Sequence, residues 1–228
     1  IASTSPDDME RKRKSFGSSA VSITGSPRND IFFSPQFDRK VFKKELGLSS
    51  FDSIFLYAPT FRDSGTFEPF SSKAWSRISE LMTRKNSVFV VKKHPGDRQL
   101  KIPENCTNVL DLTALVNDVQ ELLAATDVLI TDYSGIVTDY VLSGRPVIFY
   151  TFDYDAYNQA RPMYYDFRHT VPGPFADDED QLLRLLSEQS WFVEGAYQKK
   201  YRAFVDRYHT YQDGQSCLRV ASRLGLIS

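Results

Sequence analysis

The chain has 228 residues, of which 41% are hydrophobic and 25% are charged, and these shares exclude a disordered, collagen-like or coiled-coil protein. Its 28 basic and 29 acidic residues give a formal net charge of -1, so no overall field attracts nucleic acid or an anionic membrane. Cys106 and Cys217 lack metal-ligand spacing, and no apolar run approaches the ~20 residues of a transmembrane helix, so we expect neither a structural zinc nor a membrane span.

The amino-terminal segment, residues 1–20, is polar and carries a basic cluster at Arg11–Lys14. It predicts a linker or the end of a preceding domain, whereas residues 21–228 are predicted to form one domain. Since the chain begins at Ile1 rather than at Met, we expect it to be part of a longer protein. The first predicted elements are a strand at 21–24, a turn at 25–30 and a helix at 36–46.

Beyond residue 50, short apolar runs alternate with segments of helical period. Continuous apolar strands separated by helices are typical of a parallel sheet that is covered on both faces, so the predicted class is α/β with a doubly wound sheet. After Tyr150 no further strand is predicted, and an aromatic and acidic loop runs to Pro174. The predicted strands are 54–57, 88–91, 109–112, 128–130 and 147–150, and the predicted helices are 72–84, 119–125, 136–142, 178–186, 192–208 and 215–224.

Ligands of doubly wound sheets bind beyond the carboxyl ends of the strands, so the residues that follow each strand are the candidates for a site. Thr60 and Arg62 follow the strand at 54–57. A guanidinium in that place can bind a phosphate through two parallel hydrogen bonds. The alternative is that Arg62 forms a surface ion pair with Asp63.

Lys93 and His94 follow the strand at 88–91, and Pro95 restricts the backbone of His94. An imidazole here can donate a hydrogen bond to a phosphoryl oxygen or exchange a proton near neutral pH. The alternative is a structural histidine that caps a loop. The two lysines before His94 favour the functional interpretation.

The strand at 128–130 runs into a helix through small and polar residues, namely Thr131, Asp132, Ser134 and Gly135. Because the unpaired amides of a helix N-terminus bind anions, this turn predicts a diphosphate site. Its spacing matches neither a dinucleotide fingerprint nor a Walker loop. Ser134 can instead serve only as a helix N-cap.

Two further features lie near this turn. Asp139 follows about one helical turn later, where its carboxylate can accept hydrogen bonds from a ribose diol or can simply be solvated. In the loop at 152–157, and onward to residue 174, aromatic residues alternate with acidic ones. This pattern predicts a wall of the acceptor cleft or an interdomain contact, and aromatic packing beneath the loop is the alternative. The charge is unsuitable for a nucleic-acid platform.

Five segments occur in order along the chain: GSPRND at 25–30, YAPTFR at 57–62, KKHP at 92–95, TDVLITDYS at 126–134 and DG at 213–214. Together they resemble the CDP-glycerol glycerophosphotransferase family, whose members build teichoic acids and related capsule polymers. The resemblance covers about residues 20–224. It departs from the family pattern at Gly135, where a second Ser is common, and at Arg161–Tyr164, where the family has Arg-Gly-Phe-Tyr.

The resemblance implies a two-lobed GT-B architecture in which this chain is the carboxyl-terminal, Rossmann-like, donor-binding lobe and the amino-terminal lobe is missing. It implies catalytic roles for Arg62 and His94, and a general base supplied by the amino-terminal lobe. Ser134 and Gly135 would hold the diphosphate, Asp139 the ribose, and Asn117 would lie near the base. The other implied donor contacts are Arg28, Thr60, Lys93, Thr131 and Asp132.

The implied reaction is attack of an acceptor hydroxyl on the β-phosphorus of a CDP-linked polyol, with CMP as the leaving group. No metal or other cofactor is expected, because no carboxylate cluster has the spacing typical of a magnesium site. The expected partners are the CDP-linked donor and a polymer or lipid-linked acceptor, and not nucleic acid. The expected location is the cytoplasm, at the inner face of the cell membrane. Two alternatives remain: a sugar-nucleotide glycosyltransferase or epimerase on a similar fold, and a nucleotide-binding lobe that is inactive alone.

Overall fold

The structure is a computed structural model that describes residues 1–62, 68–94, 100–163 and 165–227. In chain order its strands are β1 Ala2–Ser3, β2 Ser22–Ile23, β3 Ser53–Ala58, β4 Ser87–Val91, β5 Val109–Asp111, β6 Val128–Thr131, β7 Val147–Tyr150 and β8 Phe175–Ala176. Its α-helices are α1 Pro6–Phe16, α2 Arg39–Glu45, α3 Ser72–Arg84, α4 Val119–Ala125, α5 Ile136–Tyr140, α6 Tyr154–Ala160, α7 Phe167–Thr170, α8 Glu179–Ser187, α9 Gly195–Tyr208 and α10 Ser216–Arg223. Short 3-10 helices cover Pro27–Phe33, Val141–Ser143 and Ser190–Val193.

The central sheet has six parallel strands in the order β5-β4-β3-β6-β7-β8. From β3 the chain moves outward through β4 to β5, and it then returns to the other side of β3 and continues from β6 to β8. Phe55 of β3 is therefore paired with Phe89 on one side and with Val128 on the other. The strand order reverses between β3 and β6, which is where a doubly wound sheet opens a ligand crevice at its carboxyl edge.

Helices cover both faces of this sheet. One face packs against α4, α5 and α9 through residues such as Leu123, Tyr140 and Phe204. The other face packs against α3 and α8 through residues such as Trp75 and Leu182. Full burial of such a side chain stabilises the fold by about 1.5–3 kcal/mol. The apolar strands are therefore most stable in the middle of the fold, where helices cover both of their faces.

The helix predicted at 72–84 is confirmed as α3, and the reasons are local. The hydroxyl of Ser71 accepts a hydrogen bond from the Ala74 amide and thereby caps the helix. Trp75, Ile78 and Met82 follow at helical spacing and are buried against the sheet. The helix predicted at 119–125 and the strand predicted at 147–150 also have these bounds.

The amino-terminal segment contains regular structure where a linker or the end of a preceding domain was expected. β1 pairs in parallel with β2, and α1 begins at Pro6 because the Ser5 side chain accepts from the Asp8 amide. None of the α1 residues is buried. The polar composition that suggests a linker is therefore the composition of an exposed helix.

The chain after Tyr150 also differs from the prediction. Helices α6 and α7 occupy the expected loop, and β8 adds a parallel edge strand beside β7. The close approach of Gly173 to β7 permits this pairing, because a Cβ there would lie 2.6 Å from the Val147 carbonyl oxygen and 2.8 Å from the Phe149 ring. The strand Phe175–Ala176 has only two residues, which are too few to form the alternating pattern from which a strand is predicted.

The expected turn at 25–30 is replaced by the 3-10 helix Pro27–Phe33. Its Asp30 carboxylate accepts from the amides of Ser216 at 2.9 Å and Cys217 at 2.8 Å, so this segment holds the start of α10. None of the described helices is both long and apolar enough to cross a membrane.

Candidate functional site

A network centred on Arg62 connects the carboxyl ends of three strands. Its Nη2 donates to Asp132 Oδ2 at 2.8 Å beyond β6, and its Nε donates to Asp153 Oδ2 at 2.9 Å beyond β7. Its Nη1 donates to the Thr60 carbonyl at 2.6 Å beyond β3. Asp132 Oδ1 in turn accepts from the Thr60 amide at 2.8 Å and hydroxyl at 2.6 Å. The predicted residues Thr60, Arg62 and Asp132 thus lie in direct contact at the strand-order reversal.

Two tyrosines complete this network. The Arg62 guanidinium lies 5.2 Å from the Tyr133 ring centre and 4.7 Å from that of Tyr157, and the two rings stack 3.9 Å apart. The Tyr133 hydroxyl donates to Asp153 Oδ1 at 3.0 Å. Burial, followed by the negative charge of Asp153, raises the pKa of Tyr133, so its hydroxyl stays a hydrogen-bond donor.

The side chains of Arg62 and Asp132 are only 8% and 2% exposed, so this ion pair is buried. Burial alone lowers the pKa of Arg62, but the hydrogen bond to Asp153 and the charge of Asp132 outweigh it and raise that pKa. Asp63, the alternative partner of Arg62, lies outside the described residues. Arg62 therefore faces two protein carboxylates rather than standing at the surface.

His94 and Lys93 both follow β4, but their side chains contact different neighbours. The exposed His94 lies with its ring 5.1 Å from the ring of Phe61, on the β3 side of the crevice. The Lys93 ammonium pairs with Asp111 at 3.0 Å. Burial raises the pKa of Asp111, but hydrogen bonds from Thr113 and Lys93 outweigh it and lower that pKa. Lys93 therefore connects the ends of β4 and β5, whereas His94 contacts the segment after β3 through Phe61.

The turn between β6 and α5 has the predicted small polar residues. The Thr131 hydroxyl donates to the Ala58 carbonyl at 2.7 Å and so connects β6 with β3. Ser134 Oγ accepts from the Ile136 amide at 3.3 Å, but the N-cap residue of α5 is Gly135 and not Ser134. A hydroxyl that accepts in this way can still donate its hydrogen to a ligand. Gly135, at the start of α5, is exposed.

Asp139 is buried within a second polar cluster and is not a solvated residue. Its Oδ1 accepts from Asn29 Nδ2 at 2.8 Å, and its Oδ2 accepts from Gln120 Nε2 at 3.1 Å. Arg28 Nη2 lies 2.8 Å from the same Oδ2. Asn117 is exposed immediately before the N-cap residue of α4.

Sequence reasoning did not identify Asp153, Tyr133 and Tyr157, nor Asn29 and Gln120, as parts of these clusters. The loop at 152–157, which the sequence analysis selected after β7, contains Asp153 and Tyr157, but the sequence gives no sign that they contact Arg62. A cavity of about 200 Å³ opens beside Arg62, lined by Phe61, Arg62, Asp153, Ala156, Tyr157, Ala160 and Arg161. Within the described ranges, no group of three or more His, Cys, Asp or Glu side chains is placed to hold a metal ion.

Residues 1–225 match the family model described as CDP-glycerol:poly(glycerophosphate) glycerophosphotransferase. The chain is similar to a teichoic acid poly(ribitol-phosphate) polymerase of Bacillus spizizenii, with 32% identity over 213 residues that make up 90% of this chain and 33% of that protein. A teichoic acid ribitol-phosphate primase of the same organism is 34% identical over 202 residues, which are 86% of this chain and 51% of that protein.

The wall teichoic acid polymerase TagF has the same fold. A structure of TagF, and one of a TagF variant soaked with CDPG, each match with a TM-score of 0.83 and 25% identity and cover 99% of this chain and 56% of TagF. The predicted class, an α/β Rossmann-like sheet that forms one lobe of a GT-B architecture, is confirmed. The chain spans 33% to 56% of the length of these relatives.

Proposed function

The chain belongs to the CDP-glycerol:poly(glycerophosphate) glycerophosphotransferase family, as its five sequence segments predict, and on this premise we propose that it binds the CDP-activated donor of a polyol phosphate transferase. The enzyme transfers a polyol phosphate, such as glycerol phosphate or ribitol phosphate, to an acceptor hydroxyl in the synthesis of a teichoic-acid-like or capsule polymer. One observation supports this proposal: Thr60, His94 and Ser134 follow the carboxyl ends of β3, β4 and β6, which are adjacent parallel strands at the reversal of the strand order.

The diphosphate of the donor lies between His94 and the turn at Ser134 and Gly135. The imidazole and the Ser134 hydroxyl donate hydrogen bonds to phosphoryl oxygens, and the exposed Gly135 lets its backbone approach a phosphate closely. Asp132 and Thr60 fix the relative position of the β6 and β3 ends, since Thr60 donates to Asp132 through both its amide and its hydroxyl.

Arg62 contributes by setting this geometry, because its guanidinium holds Asp132 and Asp153 at the ends of β6 and β7. Thr131 and Lys93 hold neighbouring strand ends in register through the Ala58 carbonyl and Asp111. The nucleoside lies toward Asp139, with the exposed Arg28 guanidinium and Asn117 at its edge.

In the reaction, the acceptor oxygen forms a new bond to the β-phosphorus, and the bond from that phosphorus to the bridging oxygen of CMP breaks. CMP leaves with the bonding electron pair. Negative charge grows on the bridging and non-bridging oxygens, and donors already oriented toward them stabilise the transition state more than water does. The acceptor proton goes to a general base in the part of the protein outside this chain.

The remaining length of the relatives suggests what completes the enzyme. An amino-terminal lobe supplies the acceptor side of the cleft, and a polymer or a lipid-linked molecule supplies the hydroxyl. Since such acceptors are made at the membrane, we propose that the whole protein works in the cytoplasm at the inner membrane face.

Thermal unfolding of the chain with added nucleotides tests the donor assignment. A ligand that binds only the folded state raises the midpoint, by an amount equivalent to about 2.7 kcal/mol at a concentration of 100 times Kd. We expect CMP and CDP-glycerol to raise it, and UDP or GDP to have little effect. A larger shift with UDP or GDP would instead favour a sugar-nucleotide glycosyltransferase or epimerase.

The role of His94 is tested by His94→Ala in the full-length enzyme, with CMP release as the measurement. Loss of a donor that stabilises transition-state charge should lower kcat by about 10²–10³-fold. His169→Ala is the matched control, since His169 lies exposed on α7, paired with Asp166. Turnover within a few-fold of the wild type would remove His94 from the mechanism. A full-length enzyme that binds CDP-glycerol but releases no CMP would indicate a binding module.

A further inference from the structure

The cavity beside Arg62 has walls of unusual composition for a surface depression. The Phe61 and Tyr157 rings form two of its sides, and the methyl groups of Ala156 and Ala160, four residues apart on α6, leave room between them. Phe61 is 38% exposed, so part of its ring is accessible to a ligand in the cavity. An apolar surface of this kind suits the carbon chain of a small ligand.

Charged groups supply the polar part of the same cavity. Asp153 lies in its wall with a side chain that is 20% exposed. Its two oxygens accept from the Arg62 Nε and Nη2 and from the Tyr133 hydroxyl. A carboxylate has about four acceptor positions, so it can accept a further hydrogen bond from a ligand hydroxyl. Arg161, at the end of α6, brings a second guanidinium to the cavity wall.

The cavity also adjoins the proposed diphosphate site. Phe61 forms its wall on one side and contacts the His94 ring on the other, at 5.1 Å between ring centres. Arg62 borders the cavity and donates to Asp132 at the β6 end. The cavity therefore shares Phe61 and Arg62 with the surroundings of the proposed diphosphate site.

We propose that this cavity is the subsite for a polyol phosphate unit. The carbon chain packs between the Phe61 and Tyr157 rings, and a polyol hydroxyl donates to Asp153. In the donor, the phosphate of the unit is the β-phosphate at His94 and Ser134, whereas the phosphate of an acceptor unit faces Arg161. The inference rests on the proposed function. The same chemistry occurs in the polyol of the donor and in the last polyol of a growing acceptor, so the experiment separates these two sources.

The test is titration calorimetry on the chain carrying Ala160→Leu, with Ala156→Leu as a second variant. Leucine favours a helix and both alanines are exposed, so each change fills the cavity while α6 is retained. Gln159→Leu is the matched control, because it places the same side chain at an exposed position of α6 that does not line the cavity.

In the donor arm, the wild-type chain should bind CDP-glycerol more tightly than CDP. Ala160→Leu should weaken CDP-glycerol binding about tenfold, because the polyol loses its apolar contacts and its hydrogen bond to Asp153. The affinity for CDP should stay within about twofold of the wild type. In the acceptor arm, glycerol 3-phosphate is added to the CDP-loaded chain. If Ala160→Leu loses the binding of glycerol 3-phosphate but keeps that of CDP-glycerol, the cavity holds the acceptor unit.

Unchanged binding of both polyol ligands in both filled variants, with CDP still bound, would overturn the subsite alone. Equal weakening in Gln159→Leu would also overturn it, because the effect would then come from the helix and not from the cavity. If the wild-type chain binds neither CDP nor CDP-glycerol, the proposed function fails and the subsite fails with it.

Discussion

Two polar clusters, one at the ends of β3, β6 and β7 and one between α4, α5 and the 3-10 helix Pro27–Phe33, balance their charges in opposite ways. In the first, the guanidinium of Arg62 faces two carboxylates, Asp132 and Asp153, and is buried together with Asp132. In the second, the single carboxylate of Asp139 faces one guanidinium, from Arg28, and two side-chain amides. The comparison shows that a charged residue at a strand end can be balanced by the protein itself, so its sequence position alone does not make it a ligand contact.

The clusters also differ in where their positive charge lies. The Arg62 side chain is 8% exposed, whereas the Arg28 side chain is 64% exposed. Without Arg62, water cannot reach Asp132, whose side chain is 2% exposed, whereas without Arg28 the buried Asp139 still accepts hydrogen bonds from Asn29 and Gln120. Removal of the positive charge should therefore have a large effect on stability in the first cluster and a small one in the second.

The largest effect is expected from Arg62→Ala. It leaves the buried Asp132 and the partly buried Asp153 without their shared partner, which should lower the free energy of unfolding by about 3–5 kcal/mol. Urea unfolding followed by circular dichroism measures this change. Arg62→Lys should recover part of the loss, because it restores charge without the planar set of donors.

Arg77→Ala is the control for this result. Arg77 pairs with Asp180 on the exposed surface, where water screens the interaction, so the variant should unfold almost as the wild type does. If Arg62→Ala lowered the free energy of unfolding as little as Arg77→Ala, the network at the ends of β3, β6 and β7 would not stabilise the fold.

A smaller effect is expected from Asp139→Ala. The buried amides of Asn29 and Gln120 would lose the acceptor of their hydrogen bonds, and an unsatisfied buried donor costs about 1–3 kcal/mol. Urea unfolding of Asp139→Ala and Asp139→Asn side by side measures this cost. Asp139→Asn should be the milder variant, since its amide oxygen can still accept. A destabilisation as large as that of Arg62→Ala would remove the contrast between the clusters.

The pH dependence of stability should come from His209, which contacts the residue next to Asp139. His209, which is buried against the Thr138 carbonyl, has a lowered pKa because burial outweighs that contact and the charge of Asp139. The unfolded chain, with a histidine pKa of about 6.5, then binds a proton more readily than the folded chain does. Stability should therefore fall as the pH drops below about 6.5, in a range above that in which unfolded carboxylates titrate, about pH 4.

Urea unfolding between pH 7.5 and pH 5 tests this dependence. The variant His209→Gln should flatten it, whereas His169→Gln, at an exposed histidine, should leave it in place. An equal slope in the wild type and in His209→Gln would assign the pH dependence to other groups.

The sequence predicts most of the fold because its signals are local. Val88–Val91 is a continuous apolar run, and Ser71 with the spacing of Trp75 and Ile78 predicts α3. The errors arise where structure depends on distant contacts or on very few residues. β8 is stabilised by β7 and by the close approach of Gly173, and neither contact leaves a pattern in the sequence.

The candidate site was predictable in position but not in pairing. The rule of strand ends identifies Thr60, Arg62 and Asp132, which the fold brings together. It does not reveal that Asp153 also pairs with Arg62, because ion pairing depends on side-chain direction across 91 residues of chain. Asn29 contacts Asp139 across 110 residues of chain, so the sequence alone does not predict the second cluster either.

The smallest effect on stability is expected from Arg28→Ala, and it is the one that separates folding from binding. The Arg28 guanidinium is 64% exposed, and Asn29 and Gln120 still donate to the buried Asp139 in the variant, so the free energy of unfolding in urea should change by only about 0–1 kcal/mol. If Arg28 borders the nucleoside as proposed, the same variant should weaken CDP binding several-fold in calorimetry. Arg84→Ala, on the exposed side of α3, is the control that should change neither measurement. If the CDP affinity of Arg28→Ala is unaltered, the Arg28 guanidinium only pairs with Asp139, and no residue of the second cluster is then shown to contact the nucleoside.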